Sequence, residues 1–255
     1  MKTSTHMPTY RVVAAIDLLS EQPDGLRLSE ISTQLQMPKS SLLPILRELV
    51  YAGYLRCSQD TQKYKLGIKC AELGERYVQQ TDFIEEARAV IRKVVQMCDE
   101  TCHFAVLDGM NVLYLLKEES NQTIRMSSSI GKRLPAYSAA VGKSLLTKFS
   151  TEEIRAMYAD GLAPVTEKTI TEIDRLCEQV ERARIEKFSY ESEESSEHIT
   201  CVAVPIERRG TAIAAVSASM PIFRATEEKM ALVRSALKEA KNDIEKIASN
   251  VPFEF

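Results

Sequence analysis

Six cysteines and three histidines carry the most reactive chemistry in this 255-residue sequence, and their spacing argues against its use. Cys201 follows His198 by three residues, and a thiol beside an imidazole is the least that a cysteine nucleophile requires. Positions three apart across a loop-to-strand junction seldom meet with a third group to orient the ring. No nucleophile elbow, P-loop or paired-carboxylate arrangement accompanies them. A cysteine-dependent enzyme is therefore the weakest reading of the chain. Cys98, Cys102 and His103 come nearest to a metal set, but they straddle a predicted helix end and strand start without CxxC spacing. Neither a metal nor a cofactor is expected, and the scattered thiols suit buried residues in a reducing cytoplasm.

Hydroxyls and backbone amides offer a different chemistry, the binding of a small anion. Ser217 and Ser219 occupy alternate positions of one predicted strand and so share a face, and Cys201 opens the strand before them. "PAYSAAVGKS" leads a loop into a helix, whose first-turn N–H groups attract a carboxylate. Ile199, Leu113, Leu115 and Met126 are candidates for the apolar wall.

A third set is basic. Lys39, Ser40 and Ser41 open a predicted helix with one cation and two hydroxyls, the equipment for phosphate and base edges. Arg47 lies two turns further on. Lys63 and Lys65 alternate on a predicted strand, with Arg56 on the strand before it. Residues 1–70 hold nine basic and six acidic side chains, a balance of +3, so the rest of the chain carries −6 of the total −3. A positive head on a negative body suits DNA contact from one end.

The elements that must position these residues follow from apolar spacing. "YRVVAAIDLLS" forms a first helix. "LSEISTQL" places Leu28, Ile31 and Leu35 on one helical face, with Ser29 and Glu30 available as caps. "QMP" breaks the pattern, because the residue before proline leaves the α region. "KSSLLPILRELVYAGYL" resumes it, with Leu42, Ile45, Leu46 and Leu49 inward and Gly53 as the stop. "YLRCS" and "KYKLG" then flank a tight turn. Two helices around a short break, followed by a basic hairpin, predict a winged helix-turn-helix that reads double-stranded DNA.

Beyond it, "IKCAELGERYVQQ" predicts a connecting helix and "DFIEEARAVIRKVVQMCDE" an amphipathic one capped by Asp82. "CHFAVLDG", "NVLYLLKEE" and "TIRMSSSI" predict strands. "YSAAVGKSLLTKF", "TEEIRAMYAD" capped by Thr151, and "TITEIDRLCEQVERARIEKF" predict helices. A hairpin turning at Arg209-Gly210 and a closing helix complete an α+β domain with helices on one side of an antiparallel sheet. No apolar run approaches the ~20 residues that span a bilayer, and no signal-peptide pattern opens the sequence, so a cytoplasmic location is expected.

In these segments the chain resembles the IclR-type bacterial transcriptional regulators. The likeness lies in "LRLSEISTQLQMPKSSLLPILREL…GYL…YKLG", "GKRLPAYSAAVGKSLL", "SEESSEHITCVAVPI" and "AVSASMP", in that order. "IRMSSSIGKRLPAYSAAVGKSLL" is similar to the family's KdgR-like sugar-acid branch. The resemblance implies a winged helix-turn-helix at 1–67, a linker helix at 68–80, and a GAF-like effector and oligomerisation domain at 81–255. It implies a small carboxylic-acid effector, and a homodimer or tetramer. By resemblance, the amides of Ala140 and Val141 and the side chains of Cys201, Ser217 and Ser219 contact effector. Glu191 stands where relatives usually have aspartate, His198 where glycine is usual, and Pro44 where many have a phosphate-binding arginine. The alternative is a DNA-binding dimer indifferent to metabolites.

Overall fold

Apolar side chains recurring every three or four residues give each N-terminal helix one inward face. Ala15 and Leu19 of α1 (Met7–Ser20), Ile31 of α2 (Leu28–Gln34), and Leu42, Leu46 and Leu49 of α3 (Lys39–Tyr51) meet in a common core. This arrangement comes from a computed structural model, which describes residues 6–79, 82–126 and 128–250. The chain divides into two compact units, residues 1–80 and 81–255.

In the first unit the break between α2 and α3 is held by Ser32. Its hydroxyl donates to the Met37 carbonyl at 2.6 Å, while Gln36 takes a left-handed φ of 52°. Glu30, rather than Ser29, caps α2, its carboxylate accepting the Arg27 N–H at 2.6 Å. Pro38 is the N-cap of α3, so Ser40 and Ser41 sit inside the first turn. Pro44 interrupts neither the helix nor its core: α3 runs through it to Tyr51, and the proline is exposed. The wing has three strands where two were expected. β1 (Leu26–Arg27) pairs with β3 (Lys63–Leu66), which pairs with β2 (Leu55–Cys57), all antiparallel. Gly25, at φ 69°, makes the third strand possible, since a Cβ there would lie 2.5 Å from the Tyr64 carbonyl. Helix α4 (Ile68–Gln79) follows the wing.

The second unit is built on a six-stranded antiparallel sheet. After α5 (Asp82–Cys98) come β4 (Thr101–Asp108), β5 (Asn111–Glu118) and β6 (Arg133–Pro135). Three helices follow, α6 (Ala140–Leu146), α7 (Thr151–Met157) and α8 (Ile173–Glu186). Then come β7 (Ser189–Ser192), β8 (Ile199–Arg208), β9 (Thr211–Pro221) and α9 (Glu227–Asn250). The strand order is β6-β5-β4-β9-β8-β7. At the β8–β9 turn Arg209 and Gly210 both have positive φ, the requirement of a type I′ hairpin.

Four expectations need correction. Helices cover both faces of the sheet: α5 and α9 pack on one, α6 and α8 on the other. Phe83 of α5 meets Phe104 edge-on, whereas Leu145, Leu176 and Val180 pack with Ala105, Ala203 and Ala215. The described part of 123–130 forms no strand, and the edge strand is Arg133–Pro135. Ser150, rather than Thr151, caps α7, accepting the Glu153 N–H at 3.2 Å. The helix predicted over 169–188 spans only Ile173–Glu186: it begins after Glu172, its N-cap, and Lys187 ends it by turning left-handed at φ 61°. The Asp82 side chain and residue 80 lie outside the described residues.

Candidate functional site

Exposure along α3 divides the helix cleanly. Leu42, Leu46 and Leu49 are buried, while Lys39, Ser40, Pro44 and Arg47 are exposed and Ser41 half-buried. Ser40, Pro44 and Arg47, at i, i+4 and i+7, form one outward face. No backbone N–H at Pro44 claims the Ser40 carbonyl, which adds an acceptor to that face.

Strand register assembles the wing cations. Arg56 lies opposite Lys65, and Arg27 opposite Lys63, so four cations share one face while Leu26, Leu55 and Tyr64 turn to the core. Like charges directly opposed across a sheet destabilise it. Folding gains nothing from this pattern, whereas an anionic partner would. Arg27 was missed in the sequence because it reaches the wing through β1, a strand of two residues. Its Nε donates to the Thr61 carbonyl at 3.2 Å.

In the second unit, register lays out the face beneath α6 in two rows. Glu191, Cys201, Ser219 and Thr101 lie in line across β7, β8, β9 and β4. The next row holds Ser189, Ala203, Ser217, His103 and Lys117. Beyond them Pro205, Ala215, Ala105 and Tyr114 continue the face as apolar wall. Ile199 and Met126 belong to the same buried cluster, whereas Leu113 is in register with Val106 on the opposite face. Tyr114 therefore takes the wall position that Leu113 and Leu115 were expected to fill.

The polar rows are buried and interlinked. Cys201 Sγ donates to Ser219 Oγ at 3.1 Å, and the Glu191 carboxyl lies across the strand pair in register with it. The Glu191 carboxylate accepts the Glu194 N–H at 2.9 Å and the Ser195 N–H at 3.4 Å. Burial pushes its carboxyl above the ordinary range, and burial together with Glu191 pushes the Cys201 thiol up. Lys143, fully buried in α6, donates to both Glu194 oxygens at 2.6 and 2.7 Å and to the Tyr190 carbonyl at 3.3 Å. Burial still pulls the lysine down and the Glu194 carboxyl up. Ser189 joins this frame, donating to the Ala140 carbonyl at 2.7 Å and sharing a hydrogen bond with Ser144.

Ala140 and Val141 form the first turn of α6, where intrahelical partners for N–H groups are lacking. Ala139 at the N-cap supplies no side-chain acceptor. Gly142 brings that turn close: a Cβ there would lie 2.0 Å from the Ala136 carbonyl oxygen. His103 is fully buried and stacked on Tyr114, with ring centroids 4.6 Å apart. Burial, with Lys117 and Lys132 adding to it, depresses its pKa to about 3, so the ring is neutral.

The other reactive candidates separate. His198 is exposed and faces Glu193 at 3.5 Å, while Cys201 is buried against Ser219 and Glu191. Thiol and imidazole therefore form no catalytic pair. Cys102 and His103 point to opposite faces of β4, which rules out a shared metal. No cluster of three metal-ligating side chains occurs among the described residues.

Family comparison agrees with this layout in both units. The IclR helix-turn-helix domain matches residues 10–58, and the bacterial transcriptional regulator IclR C-terminal domain matches residues 75–246. The chain belongs to the IclR family. This IclR-family member is 32% identical over 223 residues to the HTH-type transcriptional regulator KdgR of Escherichia coli (strain K12), covering 86% of this chain and 84% of that one. An IclR-family regulator from Alicyclobacillus acidocaldarius shares its fold, with a TM-score of 0.87 at 22% identity over 95% of this chain and 99% of the other. An IclR homolog from Microbacterium hydrocarbonoxydans, solved with 4-hydroxybenzoate, has a TM-score of 0.78 at 24% identity over 94% and 99%. The protein is accordingly a transcriptional regulator with a DNA-binding helix-turn-helix and a ligand-binding C-terminal domain, and not an enzyme. Among the described residues no helix is long and apolar enough to cross a membrane.

Proposed function

We propose that this regulator binds operator DNA through α3 and the wing, and that a small carboxylic acid of the sugar-acid class controls its operator affinity. Lys39, Ser40, Ser41 and Arg47 face the groove and its phosphates, and Arg56, Lys63 and Lys65, joined by Arg27, hold the flanking backbone. The observation that carries the reading is the pair of buried polar rows under α6. Buried hydroxyl, thiol and carboxyl groups cost stability unless they are partnered, and here they share the sheet face on which α6 packs. An acid bound there meets the amides of Ala140 and Val141, the hydroxyls of Ser217 and Ser219, the Cys201 thiol and the Ile199 wall. Glu191 accepts hydrogen bonds from the hydroxyls of a sugar acid, which a plain carboxylate lacks. The IclR homolog solved with 4-hydroxybenzoate supports an acidic ligand.

Control then works by population shift. The effector favours one arrangement of a homodimer or a pair of dimers, which resets the spacing of two heads on a palindromic operator. A thermal-stabilisation screen against sugar acids, keto acids and aromatic acids tests the effector class. A selective rise in Tm with sugar acids is expected, because a ligand that prefers the native state stabilises it. No rise with any acid would leave a regulator indifferent to them and refute the proposed control.

A further inference from the structure

One buried group on this face lacks a partner. His103 Nε2 lies 2.7 Å from Ser128 Oγ, and the ring is packed against Tyr114, yet among the described residues Nδ1 has no hydrogen-bond partner. The residue is fully buried, and native proteins seldom leave such a nitrogen orphaned. Register puts His103 directly beside Ser217, with the side chain on the face that carries Cys201 and Ser219.

We infer that His103 is a specificity-determining contact of the effector site, where Nδ1 meets a hydroxyl of a polyhydroxy acid. The inference rests on the proposed effector site and adds a contact at its β4 side. A hydroxyl fits better than a second carboxylate for two reasons. The Ser128 hydroxyl can donate to Nε2 or accept from it, so Nδ1 is open either as acceptor or as donor, and a hydroxyl answers both. The nearby Lys117 ammonium is already held by Glu119 at 2.7 Å and by the Ser128 carbonyl at 2.6 Å, so it is not free to pair with a second carboxylate.

Reach supports the same class of ligand. Cys201 on β8 and His103 on β4 are two strands apart, roughly 10 Å at ordinary strand spacing. With hydrogen bonds at each end, a hydroxylated acid of five or six carbons bridges them, and a two- or three-carbon keto acid does not. Selection for the longer acid follows from the layout of the sheet.

The test compares D-gluconate, D-galacturonate and pyruvate by calorimetry on the wild-type protein and on His103→Leu and His103→Asn. Wild type should bind a sugar acid more tightly than pyruvate. His103→Leu should weaken that sugar acid by about threefold to tenfold, the worth of one hydrogen bond, and leave pyruvate within about twofold. His103→Asn should recover part of the loss, since its amide offers both donor and acceptor. Equal losses for all three acids, or no loss in a folded variant, would overturn the inference while leaving the effector site intact. If wild type binds none of the three acids, the site reading falls and this inference with it. Independently of any variant, the His103 Nδ1 resonance in a 15N spectrum should move on saturation with the bound sugar acid. A resonance that stays in place would overturn the contact.

Discussion

Glu191 and His103 show how one buried face sets two opposite pH responses. Burial raises the Glu191 carboxyl, so its ionisation is disfavoured in the folded protein. The stability it contributes is present below the ordinary carboxyl range and is lost as pH rises through the folded value. Glu191→Gln should therefore be increasingly more stable than wild type from pH 4.5 upward, as measured by urea unfolding. An acidic effector adds a second negative charge beside this carboxyl, so binding should take up a proton and tighten as pH falls. Calorimetry across the same range should show that slope in wild type and a flatter one in Glu191→Gln. His103 behaves in reverse. Its pKa falls to about 3, so the stability linked to its neutral ring is full above the ordinary imidazole range near 6.5 and drains as pH falls toward 3. At pH 5 the linkage costs about 2 kcal/mol, a loss that His103→Asn should abolish in an unfolding titration.

At the scale of elements, the wing and α6 each concede stability to geometry. Opposed cations at Arg27/Lys63 and Arg56/Lys65 weaken a three-stranded sheet that has a small core. Lys65→Ala should leave Tm unchanged or slightly higher, and should lower the slope of log affinity against log salt on duplex DNA by about one unit. An unchanged slope would remove Lys65 from the phosphate contacts. In α6, a Cβ at position 142 would collide with the Ala136 carbonyl. Gly142→Ala should cost roughly 1–3 kcal/mol as the helix shifts, and should weaken acid binding along with stability because the first turn moves. Both effects are readable in one thermal scan with and without ligand.

For the whole molecule, the prediction is a separation of roles. Ser217→Ala combined with Ser219→Ala should blunt the response to effector and leave DNA affinity within about twofold, measured by fluorescence anisotropy. A tenfold effector-driven change in operator affinity corresponds to a coupling of about 1.4 kcal/mol, and the double variant should lose most of it. Loss of DNA binding in a folded double variant would show that the two sites are not separable.

Local patterns were legible because they depend on neighbours in the chain. Helical spacing identified the stripe Leu42, Leu46 and Leu49, and strand alternation put Ser217 with Ser219, since side-chain direction follows from backbone period alone. The broken proline and glycine positions marked the turn before α3 and the β8–β9 hairpin. What the sequence left open was every relation across distance. Arg27 joins the wing through pairing with Lys63, 36 positions further along the chain (63 − 27), and His103 joins the effector face through pairing with Ser217, 114 further along (217 − 103). The exclusion of Leu113 turned on a register shift between Phe104 and Ala105, which no periodicity announces. Composition and spacing determined the helices, the wing and the chemistry available. Strand order and register, set by which distant segments pair, decided which of those side chains share a site.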